Sequence, residues 1–277
     1  MPTAQVNGVD LYYEVQGSGE PVLLIMGFTA HSMLWMMQVP ALAQRFQVIT
    51  FDNRGAGRSA VPPGPYTTRQ MADDAAALLD HLGIARAHVV GWSMGGMIAQ
   101  ELALAYPQKV NRLVLLASLA RAEQYADAWL RYMEQAAQLV GAGSLDRAGF
   151  ALNTMPWLYT ASFMTRPEMV AMALQQTLAD PYPATPAGVA AQAEACRRHL
   201  FGDALDRLKG ITAPTLVLVG AEDILTPPAY SRAMAERIPG ARLQVLERGG
   251  HGMPVEYPQE VNAALLAFLS EPAAVTA

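Results

Sequence analysis

The stretch that decides the fold is Val89-Val90-Gly91-Trp92-Ser93-Met94-Gly95-Gly96. An apolar run from Ala87 to Val90 has the composition of a buried strand and ends in Gly-x-Ser-x-Gly. A helix-like segment, Met97 to Ala105, follows at once. A strand that turns directly into a helix forces the serine at the turn into a strained backbone conformation. Glycines at 91 and 95 are then required, because a side chain at either place would clash where strand and helix approach. The strain lifts the hydroxyl out of the sheet, and the helix N-terminus behind it favours developing negative charge.

Working outward, apolar strands alternate with helices through the first half of the chain. Val9–Val15, Val22–Met26 and Gln47–Phe51 read as strands. Thr68–Leu82 reads as an amphipathic helix with Thr67 or Thr68 as N-cap, and Ala87–Gly91 is the strand before the serine. Gly95–Tyr106 is the helix after it, stopped by Pro107, and Val110–Ala117 the next strand. β-branched apolar strands separated by helices imply a mostly parallel, twisted sheet covered on both faces.

The alternation stops between Arg121 and Leu208, where the periodicity is helical, and resumes with Pro214–Gly220, a strand. Pro228–Arg237 is a helix, Arg242–Leu246 a strand, Gln259–Leu269 a closing helix and Ser270–Ala277 a frayed tail. The expected organisation is a core from residues 1–120 and 209–277 with a helical cap, 121–208, inserted between two strands. Within the cap Trp129, Met155, Trp157, Tyr159 and Met164 are expected to shape a mostly hydrophobic pocket.

A serine hydroxyl is a weak nucleophile. It needs a general base, and the base needs an orienting acid. His251 lies in Arg248-Gly249-Gly250-His251-Gly252-Met253-Pro254, after a strand and before the last helix, and is the expected base. His81 lies in the helix ending at Leu82, His88 opens the strand before the serine, His199 falls in the cap, and His31 precedes the serine. Asp223, just past a strand in Gly220-Ala221-Glu222-Asp223, is the expected acid, with Glu222 its adjacent rival. A tetrahedral intermediate needs two preorganised N–H donors. Met94 follows the serine directly, and Phe28 follows the strand Val22–Met26 through Gly27, which lets the chain turn.

These residues together resemble the α/β-hydrolase superfamily over nearly the whole chain outside the cap. Gly91–Gly96 is similar to its nucleophile elbow, Asp52-Asn53-Arg54-Gly55-Ala56-Gly57-Arg58-Ser59 to its Asp-x-Arg-Gly-x-Gly-x-Ser turn, and the Asp223 and His251 loops to its acid and histidine loops. Pro62–Tyr66, Leu78–Ile84 and the Trp35…Gln38-Val39-Pro40 stretch make it most similar to small capped esterases and 3-oxoadipate enol-lactonase-like enzymes. Many members carry His-Gly where this chain has Met26-Gly27.

The resemblance implies a serine hydrolase acting on a carboxylic ester or lactone through a Ser93–Asp223–His251 triad, without cofactor or metal. Carbon–carbon bond hydrolysis and cofactor-free perhydrolysis are similar in their catalytic groups, and a ligand receptor with a slow triad is the non-enzyme alternative. A serine nucleophile argues against dehalogenase and epoxide-hydrolase chemistry, which resembles the family with aspartate in that place.

Composition agrees. The 277 residues are 52% hydrophobic and only 16% charged, which suits one large core. A net charge of −5 with no Lys/Arg cluster excludes nucleic acid and anionic membranes as expected partners. No apolar run reaches bilayer length, Met1–Glu14 lacks the pattern of a secretion signal, and Cys196 has no second cysteine to pair with. The expectation is a cytoplasmic enzyme for a small, mostly apolar substrate. The low density of Lys and Arg in the cap disfavours a strongly anionic substrate, although any of Arg131, Arg147, Arg166, Arg197 and Arg198 could turn inward to bind a carboxylate.

Overall fold

The computed structural model describes residues 2–272. Eight strands form one sheet: β1 Thr3–Val6, β2 Val9–Gln16, β3 Glu20–Ile25, β4 Phe46–Phe51, β5 Ala87–Trp92, β6 Val110–Leu116, β7 Thr215–Gly220 and β8 Arg242–Leu246. Their order across the sheet is β1-β2-β4-β3-β5-β6-β7-β8, antiparallel at the β1 and β2 edge and parallel from β4 to β8.

The central strands are apolar on both sides because both sides are covered. Leu23, Ile25, Val89, Leu113 and Val217 pack with α2 (Thr68–His81), α3 (Met94–Ala105) and α10 (Pro228–Arg237). Their alternates Val22, Leu24, Val90, Val114 and Leu216 pack with α1 (Val39–Leu42) and α12 (Pro258–Leu269). This two-faced parallel sheet is the architecture that the sequence predicts.

Thr67 caps α2, its hydroxyl accepting from Gln70 N–H at 3.0 Å. The expected strand and helix boundaries hold to within about two residues, the usual scatter of element ends. The alternation does not reveal β1, which has only four residues, or the short helix α11, Met253–Glu256, which follows the His251 loop. Ser270 caps α12 and Glu271 is held by Arg112 and Arg242, so the described start of the expected tail is anchored. Residues 273–277 lie outside the described residues.

Between β6 and β7 the chain runs through α4 Gln124–Gly141, α5 Arg147–Leu158, α6 Ala161–Met164, α7 Pro167–Ala179, α8 Pro186–Leu200 and α9 Ala204–Arg207, with no strand among them. Ala151, Met155, Phe163 and Ala173 form a small core of this insertion's own. No helix among the described residues is long and apolar enough to cross a membrane.

The connections after β3 and β4 leave the sheet's order in opposite directions: β3 leads to β4 on one side, and β5 then lies on β3's other side. Such a switch point opens a crevice at the carboxyl ends of the strands, where ligands bind in open α/β sheets. Gly27-Phe28 leaves β3 there and Ser93 leaves β5 there.

Candidate active site

Ser93 adopts φ 59° and ψ −122°, a backbone conformation that costs a non-glycine residue on the order of 1–3 kcal/mol. Four bonds hold it: Ser93 N–H donates to Leu116 O (2.9 Å), and Ser93 O accepts from Gly96 N–H (2.9 Å), Met97 N–H (3.4 Å) and Ser118 Oγ (2.8 Å). The flanking glycines are sterically obligatory. A Cβ on Gly91 would lie 2.2 Å from Gly95 O, and one on Gly95 would lie 2.1 Å from Ile25 O. Ser93 is half-buried among buried neighbours, so its side chain is the exposed point of the turn.

The β3 loop packs directly on it. A Cβ added to Gly27 would sit 3.0 Å from Ser93 Cβ and 3.6 Å from Ser93 Oγ. Neither Phe28 N–H nor Met94 N–H has an acceptor among the described residues. The loop is pinned on both sides. Asn53 Nδ2 donates to Met26 O at 2.8 Å, and Thr29 N–H donates to Gln192 Oε1 at 2.8 Å. Asp52 pins the adjacent turn, accepting from Ser32 N–H (2.7 Å) and from Arg58 N–H and Nε (both 2.9 Å). Burial alone would raise its pKa, but the Arg58 and Ser32 bonds outweigh that and hold it below the usual aspartate range.

The acid and the histidine meet across β7 and β8. Asp223 is 2% exposed and His251 4%. His251 Nδ1 lies 3.1 Å from Asp223 Oδ2 and 3.1 Å from Thr226 Oγ1. Thr226 Oγ donates to Asp223 Oδ2 at 2.6 Å, while Leu225 N–H (2.9 Å) and Thr226 N–H (2.7 Å) donate to Oδ1. Burial would raise the Asp223 pKa. The His251 charge, its hydrogen bond and the Thr226 bonds outweigh burial and keep the carboxyl below its usual range. Glu222 is exposed, and its backbone N–H bonds Gly249 O at 3.1 Å.

His251 is tied to the serine's strand through its backbone, where Trp92 Nε1 donates to His251 O at 3.1 Å. Between the side chains of Ser93 and His251 there is no hydrogen bond, and His251 Nε2 has no partner among the described residues.

The other histidines lie elsewhere. His31 contacts Asp180, His88 contacts Glu20, His199 contacts Thr68 and Gln100, and His81 packs edge-on to Tyr13. Among the described residues no cluster of three His, Cys, Asp or Glu could hold a metal ion.

The insertion touches each loop of the site. Tyr125 on α4 donates to Ile224 O (2.8 Å) and Leu225 O (2.6 Å) beside Asp223, and burial pushes its phenol up to about 12. Gly252 N–H donates to Leu158 O at 2.6 Å. Glu256 bridges the histidine loop to the insertion, accepting from Gly250 N–H (3.0 Å) and Thr160 Oγ1 (2.7 Å).

The five residues expected to shape a pocket are placed differently from one another. Tyr159 packs against Gly252 and stacks on Phe163 at 4.3 Å. Trp129 and Trp157 pack together at 5.3 Å, and Trp157 is 36% exposed. Met155 and Met164 pack in or against the insertion's own core. The five arginines are all engaged. Arg131 bonds Asp127, Arg147 the carbonyls of Thr177 and Asp180, Arg166 the carbonyl of Ser162, Arg197 both Asp127 and Glu134, and Arg198 Glu194.

Thr226, Glu256, Tyr125, Gln192 and Asn53 are supports that the sequence reading does not single out. Only Thr226 leaves a local signal, a hydroxyl three residues after an aspartate, as in capping turns. The others act on backbone far away in the chain.

Comparison with known proteins agrees with the topology. The alpha/beta hydrolase fold family matches residues 20–258. The chain belongs to that family. Among alpha/beta hydrolases it is 34% identical over 271 residues to an Azorhizobium caulinodans protein that carries the provisional name carbamate hydrolase RutD, covering 98% of this chain and 99% of the relative. Its fold superposes with a TM-score of 0.85 on the enol-lactonase from Burkholderia xenovorans LB400, at 30% identity over 98% of this chain and 100% of that one. A thermophilic esterase from Thermogutta terrifontis is 35% identical with a TM-score of 0.81, covering 96% of each chain.

Proposed function

We propose that this alpha/beta hydrolase is a serine hydrolase that cleaves a carboxylic ester or lactone. The observation that carries the reading is the strained Ser93 facing the β3 loop. Gly27 packs against Ser93, the N–H groups of the neighbouring Phe28 and Met94 have no acceptor among the described residues, and Trp92 next to Ser93 is tied to the backbone of His251, which pairs with the buried Asp223.

Ser93 Oγ attacks the substrate carbonyl while His251 Nε2 takes its proton. Asp223, buried and fourfold hydrogen-bonded, holds the imidazole through Nδ1 and stabilises its cation. The Phe28 and Met94 N–H groups receive the oxyanion. His251 returns the proton to the leaving alcohol, and an acyl-Ser93 remains. A water deprotonated by His251 then releases the acid and restores the serine. With a lactone the alcohol stays on the acyl chain, and one hydroxy acid leaves. An uncharged, mostly apolar substrate fits the insertion, because its seven arginines already have partners, Arg121 with Asp206 and Arg207 with Glu101 among them.

The test is hydrolysis of p-nitrophenyl esters of graded acyl length beside a lactone panel, with a serine-directed phosphonate as label. Ser93→Ala loses on the order of 10⁶-fold in kcat, the cost of a triad nucleophile in a well-studied serine hydrolase, and takes no label. A Ser93→Ala protein that still turns over, or is labelled, refutes the assignment.

A further inference from the structure

In the serine-hydrolase reading the reacting groups all stand on the sheet, yet one anchor of the oxyanion loop comes from the insertion. The loop is short. Met26 O is held by Asn53 Nδ2 and Thr29 N–H by Gln192 Oε1, so only Gly27 and Phe28 lie between the two anchors. We propose that Gln192, on α8 of the insertion, is a positioning residue that fixes the Phe28 N–H beside Ser93 by clamping Thr29.

Three observations make the clamp a built one. Thr29 has φ 62°, the left-handed region that a β-branched residue avoids, so the loop needs an outside tether to stay there. Its own turn bond, Ala30 N–H to Gly27 O, is long at 3.4 Å. Gln192 is fully buried and both ends of its amide are engaged, Oε1 with Thr29 N–H and Nε2 with Arg54 O at 2.9 Å. Rotating the amide by half a turn would set N–H against N–H and oxygen against oxygen, so its orientation is fixed by the chain around it. Arg54 in turn is locked by a buried pair with Asp74, its NH2 donating to Oδ1 at 2.7 Å.

The approach of the helix is specific too. Gly188, one turn before Gln192, lies so close to the Asp52–Ser59 turn that a Cβ there would be 2.1 Å from Gly55 O. The insertion therefore supplies geometry to the bond-making step.

Because the proposal rests on the serine-hydrolase reading, the experiment separates the two. Wild type, Gln192→Leu, Gln192→Glu and Ser93→Ala are compared on p-nitrophenyl acetate, and phenylboronic acid serves as a probe that forms a tetrahedral adduct on the serine. Loss of a whole oxyanion donor costs about 10²–10³-fold in kcat. A misaimed donor should cost less, so Gln192→Leu is expected to lose about 10- to 100-fold in kcat with KM within about twofold. Phenylboronic acid should weaken by a matching factor. Gln192→Glu keeps an acceptor for Thr29 N–H and, where its buried carboxyl is protonated, a donor for Arg54 O, and is expected to recover part of the loss.

Wild-type kcat in Gln192→Leu overturns the proposal. So does a kcat loss without a matching loss of boronate affinity, or a Gln192→Glu no better than Gln192→Leu. If thermal unfolding shows that Gln192→Leu does not fold, Gln192→Asn is read the same way, since it keeps the amide but falls one methylene short of Thr29. Ser93→Ala that remains active removes the serine mechanism itself. Ser93→Ala inactive beside an unimpaired Gln192→Leu removes only the role of Gln192.

Discussion

Removing the Thr226 hydroxyl tests how the buried acid is kept ionised. Asp223 receives four hydrogen bonds, from Leu225 N–H, Thr226 N–H, Thr226 Oγ and His251 Nδ1. Thr226→Val has nearly the same shape and deletes one of the four, leaving the backbone donors in place. A hydrogen bond to a charged group contributes about 1.5–3 kcal/mol, and that is the expected loss of unfolding free energy at neutral pH.

The sign with pH follows from Asp223. Its folded pKa lies below the ordinary 3.8, so its contribution is present above that value and is lost as pH falls through the folded pKa. The variant's folded pKa moves back up, because one donor to the ionised form is gone. The stability difference between wild type and variant is therefore largest near neutrality and shrinks in acid. Urea unfolding followed by tryptophan fluorescence, in steps from about pH 7 down to the acid limit of folding, measures it. A difference within about 0.5 kcal/mol at neutrality, as for a surface exchange, would refute the reasoning, as would a difference that grows as the pH falls.

Gly95→Ala forces a methyl to within 2.1 Å of Ile25 O and 2.8 Å of Met26 O, both backbone atoms. Overpacking of this kind costs about 1–3 kcal/mol or more. Because the displaced strand end leads to Phe28, activity on a small ester should fall further than thermal stability does, which calorimetry beside a kinetic assay will show. Glu101 gives an acid-stability test. Burial would raise its pKa, but the His199 and Arg207 contacts win and bring it down to about 2. Its stabilisation is thus present above its ordinary 4.5 and is lost as pH falls toward about 2, and Glu101→Gln should flatten that part of the stability curve. An unchanged slope in the variant would mean that the contacts with Arg207 and His199 carry no such weight.

What was legible in the sequence was local. The Gly91–Gly96 turn announces itself because a strand, a serine and a helix follow each other without a break, and Asp223 and His251 each sit one loop beyond a strand. β1 was hidden because Thr-Ala-Gln-Val is too short for alternation to stand out, and α11 because the glycines before it and Pro254 within it read as loop. The supports were hidden for another reason. Gln192 is a lone amide in an alanine-rich helix, and Glu256 and Tyr125 resemble ordinary surface residues. Each earns its place by reaching backbone atoms of a distant loop, and no local pattern encodes such a contact. The same limit applies to Trp129, Met155, Trp157, Tyr159 and Met164, since which way an apolar helix residue points depends on packing that composition does not reveal.

The stitching of the inserted helices to the core bears on how a substrate gets in. A lid that swung open as one body would have to part Tyr125 from the Ile224 and Leu225 carbonyls, Glu256 from Thr160, Leu158 O from Gly252 N–H, and Gln192 from Thr29 together. Doing so would strip the supports from the Asp223, His251 and Phe28 loops at once. Admission between the fastened points would leave those hydrogen bonds in place and ask only for side-chain rotations. If the serine-hydrolase reading holds, bulky variants at side chains along such a route would slow the capture of large substrates without slowing chemistry on those already bound.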